Sequence, residues 1–428
     1  MPAALPNTAP RVRRAIVAAA LLLTACRHER TVGPGGEVPR RALGAAEAQA
    51  VRASNAFAFD LLREVGAEAE HRGRNLVLSP YSGVAALSMT LNGAAGATRA
   101  GMQQALGLAG QSVEQGNGTF RGLTAYLLGA DARVTVRTAN SVWAAEAFPV
   151  RPEFAQTVRT FYDAEARTAR FGTAEATRTI NAWASQKTDG RITKLFDDGQ
   201  PDASYVMLLM NALYFKGEWA ARFDPAHTRP APFQLAGGAT ASVPMMSREE
   251  TALRTAFVDG AQVGELAYGN GAYAMTIVLP PRGTDVEAYA AGLTAARWDA
   301  LVGALRDATL PVQLPRFALK GRSRWNAPLA RLGMADAFDP RRADFSGLST
   351  ACAPQGSPGK DCHIGFVQQD VDLQVDEVGT VAAAVTSVGI RVTSAPMPFT
   401  VDRPFLFAIR ERASGAILFV GRVLDPRG

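Results

Sequence analysis

Histidine is nearly missing from this chain: four residues in 428, at His28, His71, His227 and His363, lie in a tether, a polar turn, a loop and a cysteine-bracketed segment. A hydrolytic triad needs an imidazole between a nucleophile and a carboxylate. There is also no Gly-x-Ser-x-Gly elbow and no phosphate-cradling glycine loop, so the sequence offers no catalytic machinery of its own. Cysteine is as scarce, three in all. Two thiols with only His363 nearby leave a zinc site a ligand short, and neither a metal nor another cofactor is expected. Charge of one sign is not concentrated either. The net formal charge of +6 is modest for the length, and the basic residues are scattered rather than clustered with aromatics, which argues against a nucleic-acid groove. After residue 45 there is no repeat and no low-complexity tract. Length alone would allow two or three domains, but one large monomeric domain is the simpler reading.

What is present begins with a targeting signal. Arg11, Arg13 and Arg14 precede an apolar run over residues 15–23, too short to span a bilayer stably but suited to a secretory signal. The run ends in Leu23-Thr-Ala-Cys26, which looks like a bacterial lipobox. Small residues at 24 and 25 fit a peptidase pocket, and the Cys26 thiol would take the lipid; the alternative is an ordinary signal peptide with an incidental cysteine. Residues 27–44 are rich in Gly, Pro and Arg and read as a flexible tether. The expected division is a signal peptide over 1–25, a tether over 26–45 and a folded domain over 46–428. The protein is expected to be exported, either anchored to a membrane by its acylated Cys26 or extracellular. Arg27 carries no acidic inner-membrane retention signal, which favours an outer membrane if the host has one.

Periodicity places the pieces coarsely. Residues 46–65 repeat as a helix with Phe57, Leu61 and Leu62 on one face, and 82–92 read as a buried helix after Ser79-Pro80. Residues 134–143, 207–214, 274–279, 312–317, 371–375 and 406–409 read as strands. Helices early and long non-local strands later suit an α+β domain.

Residues 376–394 read as a strand kept out of a sheet. Thr380, Ala382, Ala384, Thr386, Val388, Ile390 and Val392 alternate as small or apolar positions, the period that lets one face be buried. No proline interrupts the stretch, and Arg391, on the opposite parity, is its only charge after Glu377. It opens with the flexible joint Gly379 and closes on Pro396 and Pro398. Such a segment suits two states, outside as a loop and inside as a strand.

This segment and its surroundings resemble the serpins over residues 46–426. The matching stretches, in family order, are Asn75-Leu-Val-Leu-Ser-Pro-Tyr-Ser82, Gly93-Ala-Ala-Gly-Ala-Thr98, Asn181-Ala-Trp-Ala-Ser-Gln-Lys-Thr188, Asn211-Ala-Leu-Tyr-Phe-Lys-Gly-Glu-Trp219, Phe223-Asp-Pro225 with Thr228, Val243-Pro-Met-Met246, Leu314-Pro-Arg-Phe317, Leu332-Gly-Met334, Ala343-Asp-Phe-Ser-Gly347, Pro404-Phe-Leu-Phe407 and Leu418-Phe-Val-Gly-Arg422. The resemblance implies the serpin fold, with three β-sheets, about nine helices and an exposed reactive-centre loop. It also implies a function: a serine protease attacks the loop, forms an acyl-enzyme, and is trapped when the cut loop inserts into the central sheet.

By the same resemblance Glu377 is the hinge carboxylate, Gly379 gives the turn, Thr380 enters the sheet first, and Ala382, Ala383 and Ala384 offer no bulk to slow it. Val378 and Val381 depart from the usual polar residues. Ser79, Ser82 and Asn211 match the shutter, where the sheet opens, but the family histidine aligns with Gln369; a buried cluster of Ser79, Asn211 and Gln369 is expected, without pH sensitivity. Counting from Glu377 and back from Pro404 puts the cleaved bond at Thr393-Ser394, suited to an elastase- or subtilisin-like pocket; the alternative is Arg391-Val392. Cys352 and Cys362 bracket a Gly/Pro loop that serpins mostly lack at this place. In an exported protein they are expected to form a disulfide. A non-inhibitory serpin, acting as carrier, chaperone or structural surface protein, remains the other reading, with Val381 the hint toward it.

Overall fold

The first helix of the domain runs over Ala45–Gly66 and turns Phe57, Leu61 and Leu62 into the core. This computed structural model describes residue 1 and residues 41–146, 148–352, 362–379 and 397–428, of which those from 41 onward belong to one compact unit. The second helix, Pro80–Leu91, carries proline in its first turn, where the missing N–H costs nothing. Its Ser79 does not cap it; the hydroxyl donates to the Leu418 carbonyl at 2.9 Å, so the residue ties the helix to a neighbouring strand. Gly83 in that helix is required for packing, because a Cβ there would stand 2.5 Å from the Trp325 ring. Further helices span Gly96–Ala105, Val113–Leu128, Pro152–Tyr162, Ala174–Lys187, Val286–Ala291 and Ala295–Gly303. A last helical stretch, Asn326–Leu329, passes through a π turn at Ala330–Met334 into Ala335–Phe338.

The strands are β1 (Leu76–Leu78), β2 (Val134–Ala145), β3 (Ala164–Ala169), β4 (Met207–Gly217), β5 (Arg229–Gln234), β6 (Thr240–Val258), β7 (Ala261–Tyr268), β8 (Tyr273–Leu279), β9 (Arg306–Pro315), β10 (Phe317–Arg324), β11 (Gln368–Val375), β12 (Phe399–Thr400), β13 (Phe405–Glu411) and β14 (Ile417–Val423). The expected strand over 312–317 is in fact two. β9 ends at Pro315, Arg316 donates its N–H to the Pro244 carbonyl, and β10 begins at Phe317 in a different sheet.

Among the described residues the strands form three sheets. The largest follows the order β1-β14-β13-β8-β7-β6-β9-β12, with β5 paired to the first part of β6. Every residue of β8, β13 and β14 is buried, as expected for strands covered on both faces. The other two are β3-β2-β4 and β10-β11. The helix Pro80–Leu91 packs against both β14 and β4, so it lies between the large sheet and the smaller ones. One buried charge cluster pins the large sheet: Glu265 on β7 meets Arg410 and Thr276, with Arg412 at 3.0 Å and Arg254 at 3.4 Å.

Candidate functional site

Among the described residues, β4 pairs with β2 along its whole length and has no strand on its other edge, and β11 pairs only with β10. The two unpaired edges line one cavity of about 530 Å³, to which Ser79, Ser82, Gly83, Trp183, Asn211 and Gln369 also contribute. Rows of free N–H and C=O groups invite a further strand, so the cavity is a slot in a sheet that could be continuous.

One end of the slot is closed. The Trp219 amide donates to the Val378 carbonyl at 2.8 Å, the Phe223 amide to the Glu377 carbonyl at 2.8 Å, and the Trp219 indole to the Asp376 carbonyl at 2.9 Å. Trp219 is held rigid by stacking on Tyr268, ring centres 4.4 Å apart and planes 10° from parallel. Both strands arrive at this end by their C-termini, so β4 and β11 run parallel. A chain leaving β11 and turning back into the slot would lie antiparallel to both walls, the arrangement with the more favourable hydrogen bonds.

The residues making that turn are Glu377 and Gly379. Glu377 is 6% exposed and accepts a bond from the Thr228 hydroxyl at 2.7 Å, with the Arg316 guanidinium 3.6 Å away. Gly379 has φ +121°, bridges both Asp376 and Glu218, and leaves no room for a side chain: a Cβ would fall 2.4 Å from the Trp219 nitrogen. The hinge residues Thr380, Ala382, Ala383 and Ala384, the candidate cleavage residues Arg391, Val392, Thr393 and Ser394, and Cys26 lie outside the described residues.

The shutter differs from the expected cluster. Gln369 and Ser79 form a closed pair: the Ser79 amide donates to Oε1 and Nε2 donates to the Ser79 carbonyl, both at 2.7 Å. Ser82 is buried and lines the cavity. Asn211 does not join them. Its Nδ2 donates to Oδ1 of Asn140 on β2 at 2.7 Å, and its own Oδ1 is buried without a partner. The reason is the slot itself, which separates β4 from β11 and leaves Asn211 only its β2 neighbour. Asn140 was not anticipated. Its one signal in the sequence is an amide in the middle of the strand Val134–Ala145. Trp219 lay within a quoted motif, but the sequence alone gave no reason to see it as the clamp.

Cys352 and Cys362 are joined by a disulfide, with Cα atoms 5.2 Å apart. It fixes the chain just before β11, at the end of the slot away from Trp219.

The family described as Serpin (serine protease inhibitor) matches residues 52–426. The chain belongs to the serpin family. It is similar to bovine leukocyte elastase inhibitor, 35% identical over 390 residues that cover 87% of this chain and 98% of the relative. Human Serpin B8 is 34% identical over 383 residues, with the same coverage of 87% and 98%. The native-state crystal structure of the thermophilic serpin tengpin superimposes with a TM-score of 0.78 at 29% identity, covering 91% of this chain and 96% of that one. In this serpin the open edge between β4 and β11, the Trp219 clamp and the Glu377-Gly379 turn make up a single continuous site.

Proposed function

We propose that this serpin is a suicide-substrate inhibitor of serine endopeptidases, and that catalysis belongs to the protease. The observation that carries this reading is the slot: two parallel unpaired edges, one of which leads directly through Glu377 and Gly379 into the proline-free segment beginning at Thr380. The protease serine attacks the carbonyl of Thr393, the amine of Ser394 leaves, and an ester links inhibitor and enzyme. Residues 380–393 then fill the slot as an antiparallel strand and carry the protease with them. Each sheet hydrogen bond gained contributes about 1 kcal/mol net, and inward side chains such as Val388 and Ile390 add burial. A segment of fourteen residues therefore stores on the order of ten kcal/mol or more, and the uncut protein is a kinetic trap.

Val392 and Thr393 before the cut suit a shallow apolar pocket of the elastase or subtilisin type, and a relative at 35% identity is itself named an elastase inhibitor. The Leu23-Thr-Ala-Cys26 motif supports export and lipid anchoring at Cys26, with residues 26–45 as the tether. The test is to mix the chain lacking residues before Arg27 with a panel of elastase- and subtilisin-like proteases. A covalent band that survives boiling in detergent is expected, with the new N-terminus at Ser394. Complete loop cleavage with undiminished protease activity across the panel would refute inhibition and favour a carrier or structural role.

A further inference from the structure

We propose that the Cys352–Cys362 disulfide is the pivot of the slot: it fixes the end at which β4 and β11 begin, so that the two walls part from the Trp219 end. The proposal concerns how the slot opens and goes beyond what fills it.

The residues before Cys352 form a clasp at this end. The Arg151 amide donates to the Leu348 carbonyl at 2.9 Å and its Nε to the Ser346 carbonyl at 2.7 Å, while the Ser349 hydroxyl donates to the Pro149 carbonyl at 2.7 Å. Val150 bridges Ser349. These partners follow β2, whose last residue, Ala145, donates its amide to the Val206 carbonyl just before β4 at 2.9 Å. The clasp therefore holds the root of the β4 wall. It is also set against the end of the helix Pro80–Leu91: the Gly347 amide donates to the Gly93 carbonyl, and a Cβ on Gly347 would lie 2.9 Å from that oxygen. Cys352 is bonded to the same clasp, its amide donating to the Ser349 carbonyl at 3.2 Å.

Cys362 belongs to the other wall. Two residues further on, the Ile364 amide donates to the Ala337 carbonyl at 2.8 Å. Asn326 accepts from the Val367 amide and donates its Nδ2 to the Gly365 carbonyl, both at 2.9 Å, and the Trp325 amide donates to the Val367 carbonyl. These bonds root β11 beside β10.

Other contacts between the walls at this end are noncovalent. Tyr205 before β4 meets Phe366 before β11 edge to face, ring centres 5.3 Å apart, and Arg191 lies 3.7 Å from Asp372. Such contacts separate and re-form. The disulfide holds its two Cα atoms 5.2 Å apart, and its bond geometry permits no more than about 7 Å. The chain already crosses to the clasp once, over residues 339–343, and a single crossing leaves the walls free to slide. A second crossing removes the slide and leaves rotation. At the Trp219 end the ties are hydrogen bonds, from Trp219 to Val378 and from Phe223 to Glu377, so rotation opens the slot there.

The test is amide hydrogen exchange on the uncut full chain, its Cys352→Ala/Cys362→Ala variant, and the parent refolded in excess dithiothreitol. The dithiol passes two electrons and two protons to the cysteines and closes to its own disulfide, which breaks the tie without a substitution. Expected in the parent are Trp219 and Phe223 amides that exchange about tenfold faster than those of Arg151, Gly347 and Ile364. Breaking the tie should speed the latter three about fivefold or more, so that the two ends open alike. A crosslink that acts only on the unfolded chain gives a different pattern. Amides of β8 and β13, which exchange by unfolding, would then lose protection while Arg151, Gly347 and Ile364 kept theirs. That pattern overturns the pivot, as does a parent whose two ends exchange at equal rates.

Discussion

Thr380→Arg should convert this serpin from inhibitor to substrate without weakening the uncut protein. The register from the closed end puts Thr380 between Gly217 and Val375, the first row past the Trp219 clamp. That row has no space and no counter-charge. A Cβ on Gly217 would already lie 2.9 Å from the Phe215 ring and 3.1 Å from Tyr268, Val375 is fully buried, and no carboxylate occurs on the core-facing positions of β4 or β11. An arginine entering there buries an unpaired guanidinium, at a cost of about 3 kcal/mol or more. Because each 1.36 kcal/mol is tenfold in rate, a penalty of about 3 kcal/mol felt in the transition state slows insertion roughly hundredfold, and deacylation overtakes it. Two measurements together decide the point. Thermal unfolding of the uncut variant should match the parent, and the detergent-resistant complex should give way to cleaved inhibitor and active protease. A variant that still traps protease as efficiently would show that insertion does not begin at Thr380, and the register drawn from Gly379 would be wrong.

Cys26→Ala, expressed in the native host, should leave the membrane fraction; an equally membrane-bound variant refutes lipid anchoring at that residue. Replacing both Cys352 and Cys362 by serine removes a crosslink of sequence separation 10 and should cost about 2 to 3 kcal/mol, read as a lower urea midpoint than the parent's; an unchanged midpoint refutes that stabilising role. Glu265 governs part of the acid limb. Burial opposes its charge, yet Arg410, Arg412 and Arg254 together hold its carboxyl below the usual value of 4.5. Its contribution is therefore complete above that value and is lost as pH falls below it toward the folded pKa. Urea unfolding of the parent should weaken below about pH 5, and Glu265→Gln should flatten that limb by up to one proton's worth, about 1.4 kcal/mol per pH unit, while costing about 3 to 5 kcal/mol at neutral pH by stranding buried Arg410. An acid limb as steep as the parent's would refute the assignment.

The fold class was legible because its signals are local: the 3.6 period of Ala45–Gly66, the Ser79-Pro80 helix start, and strands within a residue or two of β2, β8 and β13. The alternation from Thr380 to Val392 was equally legible, and the turn that leads into it is seen at Gly379, which bridges both Glu218 and Asp376. What the sequence could not supply was which neighbour each polar group takes. Asn211 was expected beside Ser79 and Gln369, but an amide in a strand faces either side, and the choice depends on whether the adjoining strand is present. The break between β9 and β10 was hidden for a similar reason: Arg316 turns the chain by bonding to Pro244, more than seventy residues earlier.

The unfilled slot is best understood as a conflict the sequence maintains on purpose. A protein that minimised its own free energy would cover these edges and give Asn211 a donor; instead, among the described residues, two edges stay open and the buried Asn211 Oδ1 goes unmet. Sites where local rules are broken without local compensation are where function is expected. Here the sequence itself supplies a segment that alternates small or apolar positions from Thr380 to Val392 and begins one residue after the turn at Gly379. Glutamine at 369 fits the same logic, since neither it nor Asn211 titrates, so the drive to close the slot should hold steady over the pH range in which serine proteases work, where an imidazole on that row would change its charge.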